Sequence, residues 1–385
     1  ARAGMVCAVT GLSRTQAGEH LGAGRPAQAP VLEPVLEYRM HADTDDLQGA
    51  YLKLRRLEEE DPQLHLVWDH QLREIRVQLM GPVQMEILQR MIAARFGLSV
   101  RFDEGNIVYK ETIAAPVEGV GHYEPLRHYA EVHLLLEPGE PGSGIVLDTM
   151  CSEDVLARSW QRLIFTHLQE AVQPGVLTGS PITDLRITLV SGKAHLKHTE
   201  GGDFRQATYR AVRQGLRKAQ SVLLEPWYSF RLELPSGMLG RAMTDFERMH
   251  AELSAPELTG ERAVLTGAGP VRLLRGCTAE VTSYTRGQGK ISYQPAGYRP
   301  CAQQDEIVKR IGYDPERDLL HPTGSVFCSH GAGFEVKWDE VDRMAHLPLL
   351  DFSPKQEPEK PQRIVRSVAP GGAPELEKEL LAIFE

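Results

Sequence analysis

The sequence predicts an α+β protein of several domains, in which two βαββαβ units flank a different α/β unit. Its 385 residues are enough for about three domains, each large enough to bury its own core. The spacing of apolar residues predicts the same order of strands and helices twice, once near the start of the chain and once after its middle. The segment between these repeats carries a long amphipathic helix with a basic side, which neither repeat has.

The first repeat is predicted to occupy residues 31–112. Apolar residues at helical spacing run over residues 47–57 and stop before Asp61. A second helix is predicted to begin near Pro82, a residue favoured in the first turn, and to end at Gly97, a residue favoured after the last turn. Strands are predicted at residues 31–38, 64–68, 74–79 and 98–102. This β-α-β-β-α-β order is that of a ferredoxin-like domain.

The second repeat is predicted to occupy residues 224–302 and is also ferredoxin-like. Its strands are predicted at residues 228–234, 253–258, 262–266 and 291–297, and its helices at residues 237–250 and 270–284. Residues 1–30 are expected to hold the end of a preceding β-barrel domain and a linker rich in Pro, Ala and Gly. Residues 303–385 are expected to form a C-terminal extension, with a helix at 304–311, a Pro-rich stretch at 354–374 and an amphipathic helical segment at 375–385.

The middle segment, residues 113–223, is predicted to be a packed α/β domain. Strands are predicted at residues 130–137 and 185–190, helices at 152–173 and 203–221, and a loop at 191–202. Gly215 is predicted to let the last helix approach the sheet closely, although glycine in a helix costs about 1 kcal/mol relative to alanine. Arg210, Arg213 and Arg217 recur at spacings of three and four, so they are predicted to share one side of this helix.

Charge is distributed unevenly along the chain. The formal net charge is −9, which by itself argues against binding to nucleic acid. Residues 186–218, however, hold eight basic and two acidic side chains, a local balance of +6. The five cysteines are scattered without a CxxC pair, and no apolar run approaches the roughly 20 residues of a membrane-spanning helix. A cytoplasmic protein with reduced thiols, no membrane contact and one RNA-binding region is therefore expected.

Short motifs along the chain resemble those of elongation factor G. The runs 58–62 (EEEDP), 80–81 (MG) and 109–113 (YKETI) are similar to EEDP, GMGE and YRETI in domain III of that family. The run 223–226 (LLEP) is similar to the ILEP that opens domain V. These matches follow the family's own order over residues 1 to about 300. The chain therefore resembles the C-terminal part of a translational GTPase, from the end of domain II through domains III, IV and V.

Three further runs are similar to one branch of that superfamily, the tetracycline ribosomal protection proteins. They are 81–86 (GPVQME, for GxVQME), 203–205 (DFR) and 297–298 (GY). The resemblance implies that residues 31–112 and 224–302 are domains III and V, and that residues 113–223 are a domain IV of the type found as domain 2 of ribosomal protein S5. It also implies a monomer that binds both ribosomal subunits, places domain IV near the rRNA of the decoding region, and uses GTP and Mg in a separate G domain.

The chain itself is expected to lack that G domain and any cofactor. A phosphate-binding loop needs an upstream glycine and a hydroxyl residue after its lysine, and Ser191-Gly192-Lys193-Ala194 has neither. No NKxD guanine-recognition string occurs. The first residues lack both an initiator Met and a signal-peptide pattern, so a segment of a longer protein is expected. The parent protein is thus expected to be a GTPase, and this chain to be inactive alone.

The loop between the strand and the basic helix is predicted to contact RNA. Lys193 and Lys197 suit phosphates, while His195 and His198 suit bases, with Thr199 completing the loop. The predicted interface also includes the helix residues Arg210, Arg213 and Arg217. By resemblance, His195 falls where elongation factor G has its tip histidine. The protection proteins carry an apolar tip instead, so the charged tip favours ribosome contact over drug protection.

Other functions remain open on the sequence alone. An elongation or rescue factor without drug-protection activity is the alternative within the same class. A different class, a stand-alone RNA-binding protein or a metal-dependent enzyme, would have to use His195 and His198 or the pair Cys328 and His330. Two imidazoles without a third ligand make a weak metal site. A cysteine and a histidine two positions apart in a loop are not held by that spacing in the geometry that activates a thiol. No metal site is therefore predicted.

Overall fold

The computed structural model describes residues 34–69, 74–103 and 105–350, together with residues 2, 4–8, 10, 11 and 15. The elements described below lie in one compact unit that ends at Pro348. The predicted β-domain end at 1–30 falls mostly outside the described residues, and the predicted Pro-rich and terminal helical segments fall wholly outside them. None of the helices in the described ranges combines the length and apolar character that a membrane crossing needs.

The first repeat has the predicted ferredoxin-like fold. Its elements are β1 Leu36–Ala42, α1 Leu47–Glu60, a 3-10 turn Pro62–Leu64, β2 Val67–Asp69, β3 Glu74–Leu79, α2 Pro82–Phe96, β4 Val100–Phe102 and β5 Asn106–Ile107. The sheet order is β2-β3-β1-β4, with β5 also pairing with β1, and every pair is antiparallel. The predicted helix ends are confirmed, because α2 begins at Pro82 and Gly97 follows it with φ 66°. Leu54, Ile75 and Ile92 are fully buried between helices and sheet.

The middle segment forms a sheet with two helices on it. After a connecting strand, β6 Lys110–Ile113, its elements are β7 Val117–Tyr123, β8 Ala130–Pro138, β9 Ile145–Thr149, α3 Arg158–Glu170, β10 Leu185–Ala194 and α4 Gly201–Lys218. Strand β8 pairs antiparallel with both β7 and β10, and β9 pairs parallel with β10. The prediction that a loop starts at Ser191 is wrong, because β10 continues to Ala194 past a bulge after Leu189.

The approach of α4 to the sheet depends on glycines, as predicted for Gly215. A Cβ atom there would lie 2.7 Å from Cδ1 of Leu136 and 3.1 Å from Cα of Gly119. The facing strand β7 has glycines of its own, and a Cβ at Gly121 would overlap the carbonyl oxygen of Ala207. Side chains at these positions would push the helix off the sheet, because a packed core leaves no room for added atoms.

The second repeat is also ferredoxin-like. Its elements are β11 Ser221–Pro235, a 3-10 turn Ser236–Met238, α5 Leu239–Arg248, β12 Glu252–Leu253, β13 Glu257–Thr259, β14 Arg262–Pro270, α6 Val271–Leu274, α7 Cys277–Tyr284 and β15 Lys290–Pro300. The sheet order is β12-β14-β11-β15, the same order as in the first repeat, with β13 also on β14. The single helix predicted over residues 270–284 is broken into two, because Gly276 takes φ 83° between α6 and α7.

Two of the recognised motifs pair with each other at the junction of the three units. Strand β6, within the run 109–113, is antiparallel to the start of β11, so Lys110 lies opposite Leu224. Glu111 of β6 is 1% exposed and reaches the middle segment. Its carboxylate accepts hydrogen bonds from the N–H groups of Leu177, Thr178 and Ser180 and from the Thr178 hydroxyl. These four bonds compensate the burial of the carboxylate and fix the 174–180 loop.

The C-terminal segment completes the middle sheet. Its elements are α8 Gln304–Ile311, β16 Ser325–Ser329, β17 Ala332–Val336 and α9 Val341–Met344. The predicted helix 304–311 is confirmed. The hairpin of β16 and β17 extends the middle sheet to the order β17-β16-β7-β8-β10-β9, with β16 parallel to β7. Phe327, Val336 and Val341 bury Val120 of β7, which explains why these residues of the extension fold onto the middle unit.

Candidate nucleic-acid interface

The predicted RNA-binding tip is an exposed turn at the end of β10. Lys193 lies on the last part of the strand, and residues 195–200 form the turn that leads into α4. The side chains of Lys193, His195, Lys197 and His198 are all exposed, and Leu196 between them is fully exposed. The end of the strand and the turn after it therefore bring together two ammonium groups and two imidazoles, where solvent and a large partner have access to them.

Hydrogen bonds of Thr199 hold the turn in place. Its hydroxyl accepts a hydrogen bond from the N–H of His195 and donates one to the carbonyl oxygen of Tyr129, both at 2.6 Å. The N–H groups of His198 and Thr199 donate to the carbonyl oxygen of His195. The predicted tip residue Thr199 is thus half-buried and fixes the backbone, while its neighbours point to solvent.

The two tip histidines form an aromatic platform. The ring centroids of His195 and His198 lie 4.4 Å apart at an angle of 21°. The same turn keeps the ring of His195 6.4 Å from the ring of Tyr129. Stacked, exposed rings beside lysines are the arrangement on which unpaired bases stack while cations contact phosphates.

A second turn, which the sequence reasoning missed, lies beside the first. Because Ala130 of β8 is paired with Ala194 of β10, the turn 124–129 before β8 sits next to the tip. It exposes Leu126 and Arg127, and Arg127 takes the left-handed conformation with φ 65°. His128 fixes this turn to the start of α4, since its Nδ1 lies 2.8 Å from Oδ1 of Asp203. A charged turn between two strands carries little signal before the pairing of the strands is known.

The three arginines of α4 that were predicted to join the interface, Arg210, Arg213 and Arg217, do not extend this surface. Arg213 is only 1% exposed, so the prediction that it belongs to the RNA-binding interface is wrong. Its guanidinium donates to the carbonyl oxygens of Pro174, Gly175 and His321 and to the hydroxyl of Tyr313. Each of these bonds replaces a hydrogen bond to water, which is what allows a buried guanidinium.

Arg210 and Arg217 are half-buried beneath other side chains. The guanidinium of Arg217 lies 4.7 Å from the ring of Trp338 and 3.2 Å from a carboxylate oxygen of Glu316, both in the C-terminal segment. That of Arg210 lies 5.5 Å from the ring of Tyr123, and burial lowers its pKa. The basic side of α4 is therefore largely a contact surface for other parts of the chain, and the exposed cations of the predicted set are those at the tip.

A cluster of histidines and glutamates lies behind the tip, on the sheet face that the C-terminal segment covers. Three of its members, Glu131, His122 and His133, are fully buried. Glu131 accepts a hydrogen bond from Nδ1 of His122 at 2.6 Å and one from Nε2 of His133 at 3.1 Å. It also accepts the N–H groups of His346 and Leu347. One carboxylate thus joins β7, β8 and the C-terminal segment.

The outer contacts of this cluster are also carboxylates. His133 contacts Glu118 through Nδ1 at 2.8 Å, and His122 contacts Glu124 through Nε2 at 3.1 Å. Burial raises the pKa of Glu131, but the hydrogen bonds from His122, His133 and the backbone outweigh it and hold that pKa well below its usual range. The glutamate is therefore ionised, and its hydrogen bonds hold His122, His133 and the backbone at residues 346 and 347 in place.

The other predicted candidates do not form sites. In the part of the chain that the structure describes, the one group of three potential metal ligands is His122, Glu131 and His346, and it excludes the tip histidines. Cys328 lies in β16 and His330 in the hairpin turn that follows, with φ 52°. No hydrogen bond joins these two residues within the described ranges, so they lack the contact that would activate a thiol.

This arrangement, an α/β unit with an exposed tip between two ferredoxin-like units, is that of the C-terminal domains of a translation factor. Residues 105–220 match the family model "Elongation factor G, domain IV", and residues 222–307 match "Elongation factor G C-terminus". The chain belongs to the elongation factor G family, and it contains that family's domain IV and C-terminal domain.

Individual relatives agree with this assignment. The chain is 31% identical over 333 residues to the tetracycline resistance protein TetP of Clostridium perfringens, which covers 84% of this chain and 51% of that protein. It is 29% identical over 316 residues to elongation factor G 2 of Streptomyces coelicolor, covering 77% of this chain and 46% of that protein. It thus spans about half the length of the curated relatives it matches.

Among solved structures, the crystal structure of ttk003000868 from Thermus thermophilus has a similar fold. The TM-score is 0.57 at 22% identity, over 76% of this chain and 45% of that one. At this identity the likeness concerns the fold alone.

Proposed function

We propose that this chain is the ribosome-contacting part of a translation factor, and that the tip of its middle unit binds RNA of the small subunit near the decoding region. The tip turn supports this, because it exposes Lys193, His195, Lys197 and His198 together on a fixed backbone. The contacts of Arg213 with the 174–175 and 313–321 segments stiffen the base of the same unit. A stiff arm with a cationic, aromatic end suits insertion into folded RNA.

The charge distribution favours an oriented approach. The chain carries a net charge of −9, so the phosphates of RNA repel the chain as a whole and attract its cationic tip. In this proposal, GTP and Mg²⁺ bind to a G domain outside this chain. The two ferredoxin-like units couple that domain to the middle unit and its tip. In the same proposal the factor acts as a monomer in the cytoplasm.

Pelleting of the 385-residue chain with 70S ribosomes at several salt concentrations tests the proposal. The double variant K193A/K197A should bind more weakly, and its affinity should fall less steeply with salt, by about one unit of log–log slope for each phosphate that is no longer neutralised. A matched control is K53A/K290A, which removes two exposed lysines from α1 and β15. Absence of binding at low salt, or equally weakened binding in both double variants, would overturn the proposal.

Drug protection is the second candidate, and the similarity to TetP favours it. The polar tip with two imidazoles favours an elongation or rescue role instead, because an apolar plug is better suited to a site beside a bound drug. Expression of the full-length gene in a tetracycline-sensitive host separates the two. Increased tolerance would support protection, and unchanged tolerance alongside ribosome binding would support the other role.

A further inference from the structure

We propose that His122, Glu131 and His346 form a binding site for one divalent transition metal, with zinc the preferred ion, where the C-terminal segment meets the middle sheet. One potential ligand atom from each residue lies within 4.8 Å of the others. Two imidazole nitrogens and one carboxylate oxygen are a donor set that zinc uses in proteins, with the fourth position left to water. The proposal rests on this geometry and is independent of ribosome binding.

The surroundings of the three residues suit a buried cation. His122 and Glu131 are fully buried, while His346 is exposed at the rim and leaves an entry path from solvent. The cluster contains three carboxylates, those of Glu118, Glu124 and Glu131, but only two buried imidazoles. The carboxylates of the cluster thus outnumber its buried imidazoles, and a bound cation would supply positive charge beside them.

Supporting contacts for each ligand are already in place. His133 bonds to Glu131 and is itself bonded to Glu118, and Tyr129 contacts Nδ1 of His346 at 2.9 Å. Such outer contacts orient metal ligands and are as characteristic of metal sites as the ligands themselves. The ring of Phe327 stacks on His122 at 4.0 Å and closes the site from the side of β16.

Metal binding requires two small changes in this arrangement. The 2.6 Å contact between His122 and Glu131 holds a proton, which the metal would replace, so binding should release protons. Ligand atoms around a tetrahedral zinc lie about 3.3 Å apart, because each is about 2 Å from the ion. The atoms of His122 and Glu131 that lie 2.6 Å apart must therefore separate slightly. His346, which is held by Tyr129 through its ring and by Glu131 through its N–H, must adjust its ring to the same spacing.

The proposal can be tested on the full 385-residue chain with zinc alone. After purification and removal of loosely bound metal, elemental analysis should give one zinc per chain, and competition with a chromophoric chelator should give its affinity. H346A should weaken that affinity by about 100-fold through loss of a ligand, and H133Q by about 10- to 100-fold through loss of support for Glu131. The double variant H195Q/H198Q is the control and should bind zinc normally.

The outcomes separate a metal site from a hydrogen-bonded cluster. Because His346 is exposed, H346A is expected to fold, and circular dichroism of the variant checks this. Cobalt substitution in the unaltered chain gives a second readout that needs no variant, since tetrahedral nitrogen and oxygen ligands produce intense visible absorption. Absence of stoichiometric zinc and of the cobalt bands, or binding that persists in H346A and disappears in H195Q/H198Q, would overturn the assignment.

Discussion

The guanidinium of Arg213 donates a hydrogen bond to the carbonyl oxygen of Gly175 at 2.7 Å, in the interior of the middle unit. Its other bonds reach Pro174, Tyr313 and His321, so one side chain joins α4 to a loop and to the C-terminal segment. An arginine that looks like a phosphate ligand in the sequence is thus an internal connector.

Replacing this arginine should destabilise the protein strongly. R213A leaves the buried carbonyl oxygen of Gly175 and the partly buried ones of Pro174 and His321 without this donor, and we expect the free energy of unfolding to fall by about 3 kcal/mol or more. Urea unfolding followed by tryptophan fluorescence measures the change. The control R162A removes an exposed arginine of α3 and should stay within about 0.5 kcal/mol of the parent. Similar stability of both variants would show that the bonds of Arg213 contribute little.

The misassignment of Arg213 shows where sequence reasoning ends. Spacing along α4 places Arg210, Arg213 and Arg217 on one side of the helix, and this depends only on local geometry. What covers that side depends on residues about 100 positions later, such as Glu316 and His321. No feature of the helix sequence indicates this contact with the C-terminal segment. The ferredoxin-like units, in contrast, were predictable because the spacing within each short element defines it.

The histidine and glutamate cluster had only half of its signal in the sequence. Glu131 and His133 of β8 are two positions apart, and Glu118 and His122 of β7 are four apart, so each pair lies on one face of its strand. This spacing can be read from the sequence. The sequence does not show that β7 pairs with β8 and sets His122 opposite Glu131, or that His346 joins them from 215 positions away.

A glycine in β7 should be intolerant of any side chain. In G121A the added methyl group would overlap the carbonyl oxygen of Ala207, so α4 must shift away from the sheet, and we expect a loss of about 2 to 3 kcal/mol of stability. The matched control is G202A in the first turn of α4, where a Cβ meets no atom within 4 Å. Since alanine is the better helix former, that variant should be neutral or more stable by up to about 1 kcal/mol. Thermal unfolding of both variants provides the comparison, and equal melting temperatures would contradict the close packing.

Glu170 should make stability depend on pH in the acid range. Its carboxylate accepts hydrogen bonds from Tyr209, His167 and Arg205, and these hold its pKa at about 2, below the ordinary value of 4.5. Because the folded pKa is the lower one, the unfolded state binds the proton first as pH falls. The stabilisation is therefore fully present above about pH 4.5 and is lost as pH decreases towards about 2.

Urea unfolding across that pH range measures the effect. The variant E170Q should show a shallower decline of stability with decreasing pH than the parent protein. E153Q, which changes a glutamate whose side chain is 65% exposed, should follow the parent curve. If the stability of E170Q depended on pH in the same way as that of the parent protein, the three hydrogen-bond donors would not favour the ionised carboxylate.

The hydroxyl of Thr199 should control the order of the tip. In T199V the N–H of His195 loses its acceptor and the carbonyl oxygen of Tyr129 loses its donor, while the size of the side chain is kept. Local opening of the turn should then become easier by about 1 kcal/mol, which corresponds to about fivefold faster amide exchange at His195. T199S keeps the hydroxyl and should exchange at the parent rate.

If the tip binds RNA in this fixed form, T199V should also bind ribosomes more weakly than T199S, although neither variant changes a charge. Equal exchange rates in the two variants would show that the turn is held by other contacts, and equal ribosome affinity would show that its order is not used in binding.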